Sequence, residues 1–189
     1  MFPILLCCDA GGEYSMEGTV EIRSERLLMR RYRPEDAKDL YEKFGTDPKM
    51  YEYSGWNPYA SYEAAEETVR RFISDYAKKD FYGWAIEYRG RLVGTIGAYD
   101  YDPEKNRIEV GMSIARDSWG RGFATEALKA VLEYLTGHEG IRTVTAWCAP
   151  DNAGSMKAMQ KAGMTKTFIK ENALEVGGKT YDQQFFAYS

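Results

Sequence analysis

The feature that most constrains this chain is a turn with alternate glycines, within residues 118–126, which joins a strand-like segment to a long amphipathic helix. Gly120 and Gly122 carry no Cβ, so a bulky group can approach the main chain and the dihedral angles can expose successive N–H groups. The first four N–H groups of an α-helix have no internal acceptor, and the macrodipole adds about half a positive charge there. The turn therefore predicts either an anion-binding helix start or an ordinary tight connection.

The segments on either side of the turn favour the anion-binding alternative. Residues 107–115 alternate apolar with polar or small side chains, as a half-buried strand does. Arg116 and Arg121 add cations beside the turn. Apolar residues then recur at the spacing of a helix with one buried stripe: Phe123, Ala124, Ala127, Leu128, Val131, Leu132 and Leu135. A strand, a glycine turn and a helix in this order suit a ligand that carries a pyrophosphate.

Composition narrows the class of protein. A net charge of −4 argues against a domain that mainly neutralises nucleic-acid phosphates. Three cysteines match neither a disulfide framework nor a zinc pattern, which favours a reducing, cytoplasmic location. His138 is the single histidine, so no metal site is expected. The apolar residues 2–8 are far fewer than the ~20 that span a bilayer, so no membrane partner is expected.

The order of predicted elements is βααβββαβαββ, with three antiparallel strands before the glycine turn. Pro34 starts the first helix, Ser61 caps the second, and Asn152 caps the last. A crossover after the central helix brings residues 142–148 beside residues 107–115 as a parallel pair. We expect residues 24–189 to form a single domain. We interpret residues 1–23 as a poorly determined tail or an extra strand.

With these elements in place, the chain resembles the GNAT superfamily of N-acetyltransferases. The family's acetyl-CoA site is a strand, a Gln/Arg-x-x-Gly-x-Gly/Ala turn and a helix. Residues 119–124 match the last Gly and Ala of that turn, while Trp119 stands where Gln or Arg is commonest. Asn152 and Ser155 match the family's Asn-x-x-Ser, and the wording of the turn is similar to the RimJ/RimL-like branch. The resemblance implies an α+β fold with a mixed sheet of about seven strands, a splayed parallel pair and about four helices.

The resemblance also implies acetyl-CoA as co-substrate and no metal. In the family, pantetheine inserts between the splayed parallel strands, and a backbone N–H there polarises the thioester carbonyl. The phosphates rest on the glycine turn. The predicted cofactor-binding residues are Met112, Ser113, Ile114, Arg116, Trp119, Gly120, Arg121, Gly122, Phe123, Ala124, Thr125, Asn152 and Ser155. Asn152 is equally a plain helix cap.

Two residues are candidates for proton transfer. Glu109 points either to solvent or into the acceptor cleft, where it would take a proton from the amine directly or through water. Many family members use a tyrosine of the last helix as general acid, but Met159 occupies that position. Ser155 is the nearest replacement, and it is equally a structural residue that bonds its own backbone.

The acceptor is expected to be a primary amine, either a protein N-terminal α-amine or a small amine. An α-amine with a pKa near 8 is already ~10% neutral at pH 7, whereas a lysine side chain is almost wholly charged. A weak catalytic base therefore suits an α-amine acceptor better than a lysine acceptor. Aromatic side chains either wall an acceptor pocket or fold back on a core. With Glu109, the predicted acceptor-binding residues are Tyr53, Trp56, Trp84 and Tyr101. The oligomeric state is expected to be a monomer or a homodimer.

Parts of the sequence also fit three other functions. Met159 in place of the tyrosine, and a base that is not assigned by the sequence, are compatible with a non-catalytic acyl-CoA-binding module. Aromatic pocket walls suit a polyamine or aminoglycoside acetyltransferase as well. A dinucleotide-binding oxidoreductase is disfavoured because Thr125 takes the place of the third glycine and antiparallel strands precede the turn.

Overall fold

The computed structural model describes residues 16–54, 57–176 and 178–189. Its strands are β1 (Ile22–Arg23), β2 (Leu28–Arg30), β3 (Tyr82–Tyr88), β4 (Arg91–Asp102), β5 (Arg107–Ile114), β6 (Thr143–Cys148), β7 (Thr165–Val176) and β8 (Lys179–Tyr188). Its α-helices are α1 (Asp36–Leu40), α2 (Tyr62–Asp75), α3 (Phe123–Gly137) and α4 (Ala153–Lys161). A π-helical turn over Tyr41–Gly45 extends α1. Short 3₁₀ turns form at Pro48–Met50 and Arg116–Ser118.

The strands form one mixed sheet in the order β1-β2-β3-β4-β5-β6-β8-β7. All neighbours are antiparallel except β5 and β6, which run parallel because α3 crosses over between them. The predicted hairpin at Arg89 and Gly90 is present, and both residues have positive φ, as a type I′ turn requires. Ser61 caps α2 by accepting a hydrogen bond from the Ala64 N–H at 3.2 Å, as predicted.

The sheet carries an apolar layer on each face. Along β3, Trp84 and Ile86 pack into the larger cluster around α3, whereas Ala85 packs with residues of α1 and α2. This alternation follows from the two-residue period of a strand, and β3 is buried on both sides because helices cover both faces.

Part of the segment interpreted as a tail or an extra strand belongs to the fold. Residues 22 and 23 pair with β2, which is why the sheet has eight strands rather than about seven. Thr19 donates from Oγ1 to the Phe81 carbonyl at 2.8 Å, and the Tyr134 hydroxyl donates to the Gly18 carbonyl at 2.7 Å. Of the two interpretations of residues 1–23, the described part matches the extra strand; residues 1–15 lie outside the described residues.

The described residues can be compared with the expectations about membrane spans, metal sites and cysteines. None of the described helices is long and apolar enough to cross a membrane. Within the described ranges, no three His, Cys, Asp or Glu side chains are grouped so that they would hold a metal ion. Cys148 is a buried free thiol in β6, and burial raises its pKa to about 11.

Candidate active site

A cavity opens where β5 and β6 separate. The two strands pair only at Arg107 with Thr143, Ile108 with Val144 and Glu109 with Thr145. We call the point beyond the last pair the fork. From there residues 110–114 of β5 line a cavity of about 1060 Å³, with Trp147 and Cys148 of β6 opposite. The splayed parallel pair is therefore present, and the edge of β5 that faces the cavity can bond an extended ligand in place of a strand.

The glycine turn forms one end of this cavity. Gly120 and Gly122 both have positive φ, at 73° and 79°. Gly122 is the N-cap of α3, and no side chain of the described residues bonds to the first N–H groups of that helix. Phe123, Ala124 and Thr125 open the helix and line the cavity. The uncapped helix start has the donors and the partial positive charge that favour an anion.

The predicted cations do not both reach the cavity. Arg116 lines it, and its Nη1 lies 3.5 Å from Oδ2 of Asp47. The guanidinium of Arg121 instead stacks on the rings of Tyr88 and Phe123, 4.7 and 4.5 Å from their centroids. This side chain is absent from the described cavity lining, because the aromatic rings offer it a cation–π site outside. Arg121 lies beside the helix start, against Phe123, and its role in cofactor binding stays a prediction.

Trp119 contributes to the rim of the cavity. Its indole N–H donates to the Ile114 carbonyl at 2.6 Å, and its side chain is half exposed. The bond joins the end of β5 to the glycine turn. Trp119 thus takes the position of the commoner Gln or Arg with one polar atom already engaged by the protein.

The start of α4 forms the opposite wall. Asn152 accepts from the Ser155 N–H at 3.1 Å, which makes it the predicted cap. Both residues also line the cavity, so capping does not remove them from it. Met159 is buried in the core, so the side chain at the position of the family's tyrosine points away from the cavity.

Glu109 lies at the fork and is half-buried. Its Oε1 accepts a hydrogen bond from the Trp147 indole N–H at 3.0 Å. Tyr99 of β4 is its partner in register, and Tyr99 and Trp147 both line the cavity. Burial raises the pKa of Glu109, and the contacts with Trp147 and Tyr99 oppose that rise. The Glu109 carboxylate thus lies against two aromatic side chains that line the cavity, while Glu109 itself is not among the lining residues. Its role as base stays a prediction.

Of the three predicted acceptor-binding aromatic residues that the structure describes, one lines the cavity. Tyr53 lines it and donates from its hydroxyl to the Asp151 carbonyl at 3.3 Å. Trp84 is fully buried and donates its indole N–H to the Val20 carbonyl, so its prediction as an acceptor residue is wrong. Tyr101 packs against the core beside Asn106 and is not part of the cavity lining, so that prediction is also wrong. Trp56 lies outside the described residues.

Sequence reasoning missed several cavity residues, of which Tyr99, Trp147, Lys157 and Lys161 bear most on the chemistry. Tyr99 and Trp147 flank Glu109 on adjacent strands, and only the strand register reveals this. Lys157 and Lys161 face the cavity from α4. Their spacing of four residues, one helical turn, was the available signal.

Comparison with known proteins gives the family. Residues 26–165, more than half of the chain, match the sequence profile of the acetyltransferase (GNAT) domain. The chain belongs to the GNAT superfamily. It is therefore an acetyl-CoA-dependent N-acetyltransferase, as the family resemblance implied.

Relatives of this GNAT protein extend along most of its length. The uncharacterized N-acetyltransferase YoaA of Bacillus subtilis (strain 168) is 27% identical over 168 residues, covering 88% of this chain and 94% of YoaA. The putative ribosomal N-acetyltransferase YdaF of the same organism is 22% identical, covering 87% of this chain and 91% of YdaF. RimL, a ribosomal L7/L12 alpha-N-protein acetyltransferase in complex with coenzyme A, superposes with a TM-score of 0.79 at 18% identity, covering 89% and 97% of the two chains. The α+β GNAT fold and the RimJ/RimL-like resemblance are confirmed.

The residues around the cavity fit acetyl-CoA. The uncapped start of α3 supplies main-chain donors for a pyrophosphate, and the separated edge of β5 supplies donors and acceptors for the amides of pantetheine. Arg116, Lys157 and Lys161 add positive charge along the same cavity. The individual contacts remain predictions.

Gly122 gives a direct test of the helix start. At its φ of 79° a Cβ is strained by about 1–2 kcal/mol and would lie 3.4 Å from Nη2 of Arg26. We expect Gly122→Ala to weaken acetyl-CoA binding by about tenfold in calorimetry, because relieving the strain turns the N–H groups. Gly137→Ala is the control, since that position ends α3 in open space without positive φ. Equal affinities of the two variants would contradict the assignment.

Proposed function

We propose that this acetyltransferase transfers the acetyl group of acetyl-CoA to a free α-amino group at a protein N terminus. The observation that carries the proposal is the half-buried carboxylate of Glu109 at the fork, beside the strand edge that would hold the thioester. Burial raises its pKa, which makes the carboxylate a somewhat better base. It is still a weak base, and an α-amine is far easier to deprotonate than a lysine side chain.

Each proton and bond of the transfer has a candidate group in this chain. Glu109 takes a proton from the acceptor ammonium through a water, because the carboxylate lies beside the cavity wall rather than in it. Main-chain N–H groups at residues 112–114 donate to the acetyl carbonyl oxygen while the amine nitrogen bonds to the carbonyl carbon. As the carbon–sulfur bond breaks, the Ser155 hydroxyl passes its proton to the departing thiolate, and the second proton of the amine nitrogen restores that hydroxyl. When bound, acetyl-CoA supplies the activated acetyl group.

Two relatives agree with this class of acceptor. RimL is named for the alpha-N-acetylation of ribosomal L7/L12, and YdaF as a putative ribosomal N-acetyltransferase. These names describe the relatives themselves. They support an α-amine as the acceptor of this protein more than a polyamine or an aminoglycoside.

An acceptor panel tests the proposal. The purified protein is incubated with acetyl-CoA and either a peptide with a free N terminus, an N-terminally blocked peptide with one lysine, spermidine or an aminoglycoside. We expect coenzyme A release only with the first peptide, together with acetyl mass on its first residue. Acetylation of the lysine peptide, the polyamine or the aminoglycoside instead would replace the proposed acceptor. Heat stabilisation by acetyl-CoA without transfer to any of them would favour the non-catalytic module.

A further inference from the structure

Trp147 lies where β6 has already left β5. Val144, Ala146 and Cys148 of β6 are buried in the larger cluster, so the alternate Trp147 lies on the other face of the sheet. Its main chain pairs with Phe185 of β8, which holds the residue on a regular strand. The half-buried indole faces the cavity from this fixed base.

The indole N–H of Trp147 spans the fork. It donates to Oε1 of Glu109 on β5 at 3.0 Å. Glu109 belongs to the last pair of the parallel strands, with Thr145, and Trp147 follows Thr145 by two residues. An indole N–H can only donate a hydrogen bond. It therefore bonds to an ionised carboxylate oxygen, and it opposes protonation of that same oxygen. The bond therefore favours the ionised form and one orientation of Glu109.

A second donor reaches the same carboxylate: the Tyr99 hydroxyl interacts with Glu109 and lowers its pKa, as the Trp147 indole does. Tyr99 approaches from β4, and Gly111 leaves room for it, since a Cβ there would lie 2.8 Å from the Tyr99 hydroxyl oxygen. Asp100 of β4 and Arg107 of β5 act on Glu109 through their charges, with opposite signs. From β6 the indole of Trp147 bonds to the carboxylate, while the Thr145 hydroxyl donates to the Ile108 carbonyl at 3.3 Å.

We propose that Trp147 is a positioning residue that holds the Glu109 carboxylate ionised and aimed at the acceptor amine by bonding to it across the fork. The inference rests on the proposed function of Glu109 as base. In this inference, Trp147 keeps the half-buried Glu109 carboxylate ionised and in one orientation.

The test is Trp147→Phe, which keeps an aromatic ring but removes the N–H. We expect kcat/KM for the amine at pH 7 to fall by about tenfold, and its acid limb to move up by about half to one pH unit. The acid limb moves to higher pH because Glu109 must be deprotonated to act as base, and loss of a donor to its carboxylate raises its pKa. The KM for acetyl-CoA should stay within about twofold, since the ring remains in the wall.

A double-variant cycle separates positioning from general damage. In the Glu109→Ala background, Trp147→Phe should cause no further loss of kcat/KM. The same tenfold loss in both backgrounds would overturn the inference, because Trp147 would then act without Glu109.

A measurement that needs no turnover keeps this inference separate from the proposed function. The Glu109 side-chain carboxyl is titrated by isotope-edited NMR in the natural chain and in Trp147→Phe, with Glu109→Gln to assign its signal. We expect the midpoint to move to higher pH in Trp147→Phe, and an unchanged midpoint would overturn the inference. If no acceptor is acetylated, the proposed function fails while this titration still decides the role of Trp147.

Discussion

Replacing Glu109 by Gln is expected to lower kcat/KM for the amine acceptor by about 10²- to 10⁴-fold, the range typical for loss of a general base. The amide has nearly the same shape as the carboxylate, and its oxygen can still accept the bond that the Trp147 indole donates at 3.0 Å. What is lost is the capacity to take a proton. Steady-state kinetics with an N-terminal peptide measures the loss, and calorimetry should find acetyl-CoA affinity unchanged.

The matched control for that variant is Glu104→Gln in the exposed turn between β4 and β5, which should leave kcat/KM unaltered. The pH profile gives a second readout. In the natural chain kcat/KM should fall as the pH drops through the pKa of Glu109, which burial raises above its usual value. The Gln variant should lack that limb. A variant that retains both the limb and most of the activity would show that another group takes the proton.

Local patterns predicted the fold well where a residue's role depends on its near neighbours. The caps at Ser61 and Asn152 and the turn at Arg89 and Gly90 each depend on chemistry within about four residues, and all three are present. The order of helices and strands followed from the same kind of signal. The strand formed by Ile22 and Arg23 is too short to leave a periodic pattern, so the sequence indicated it only as one of two alternatives.

Long-range placement explains the wrong predictions. Trp84 lies on β3, which helices cover on both faces, so alternation could not say which face held a pocket. Arg121 lies beside the start of α3, and only the fold brings Tyr88, far away in sequence, against its guanidinium. The cofactor turn was predictable because its chemistry belongs to one continuous stretch of main chain. The surroundings of Glu109 were not, since Tyr99 and Trp147 arrive by strand register.

The largest expected effect on stability comes from Asp36, which is buried with Arg30. Asp36 accepts from Nη1 and Nη2 of Arg30 at 2.7 and 2.9 Å, and from the Arg33 N–H at 2.8 Å. Glu87 of β3 bonds to Nε of the same guanidinium at 2.6 Å. The hydrogen bond with Asp36 is the main cause that raises the pKa of Arg30 above its usual value, against the effect of burial. The group thereby joins the start of α1 to β2 and β3.

We expect Asp36→Ala to lower the free energy of unfolding by about 3 kcal/mol, because removing one partner leaves a buried charge with half of its compensation. Denaturation with urea at pH 7 measures the change. Glu21→Ala is the control: its carboxylate lies 2.6 Å from Arg23, but both side chains are more than half exposed. That variant should lose less than about 1 kcal/mol.

Similar losses from the two variants would mean that burial does not amplify the ion pair. We expect Asp36→Ala to lose stability while its kcat/KM per folded molecule stays unchanged, because Asp36 and Arg30 lie outside the described cavity lining. The variants at Glu109 and Asp36 thus separate the roles of these two carboxylates. Asp36 acts on the population of folded protein, and Glu109 acts on the proton that must leave the amine.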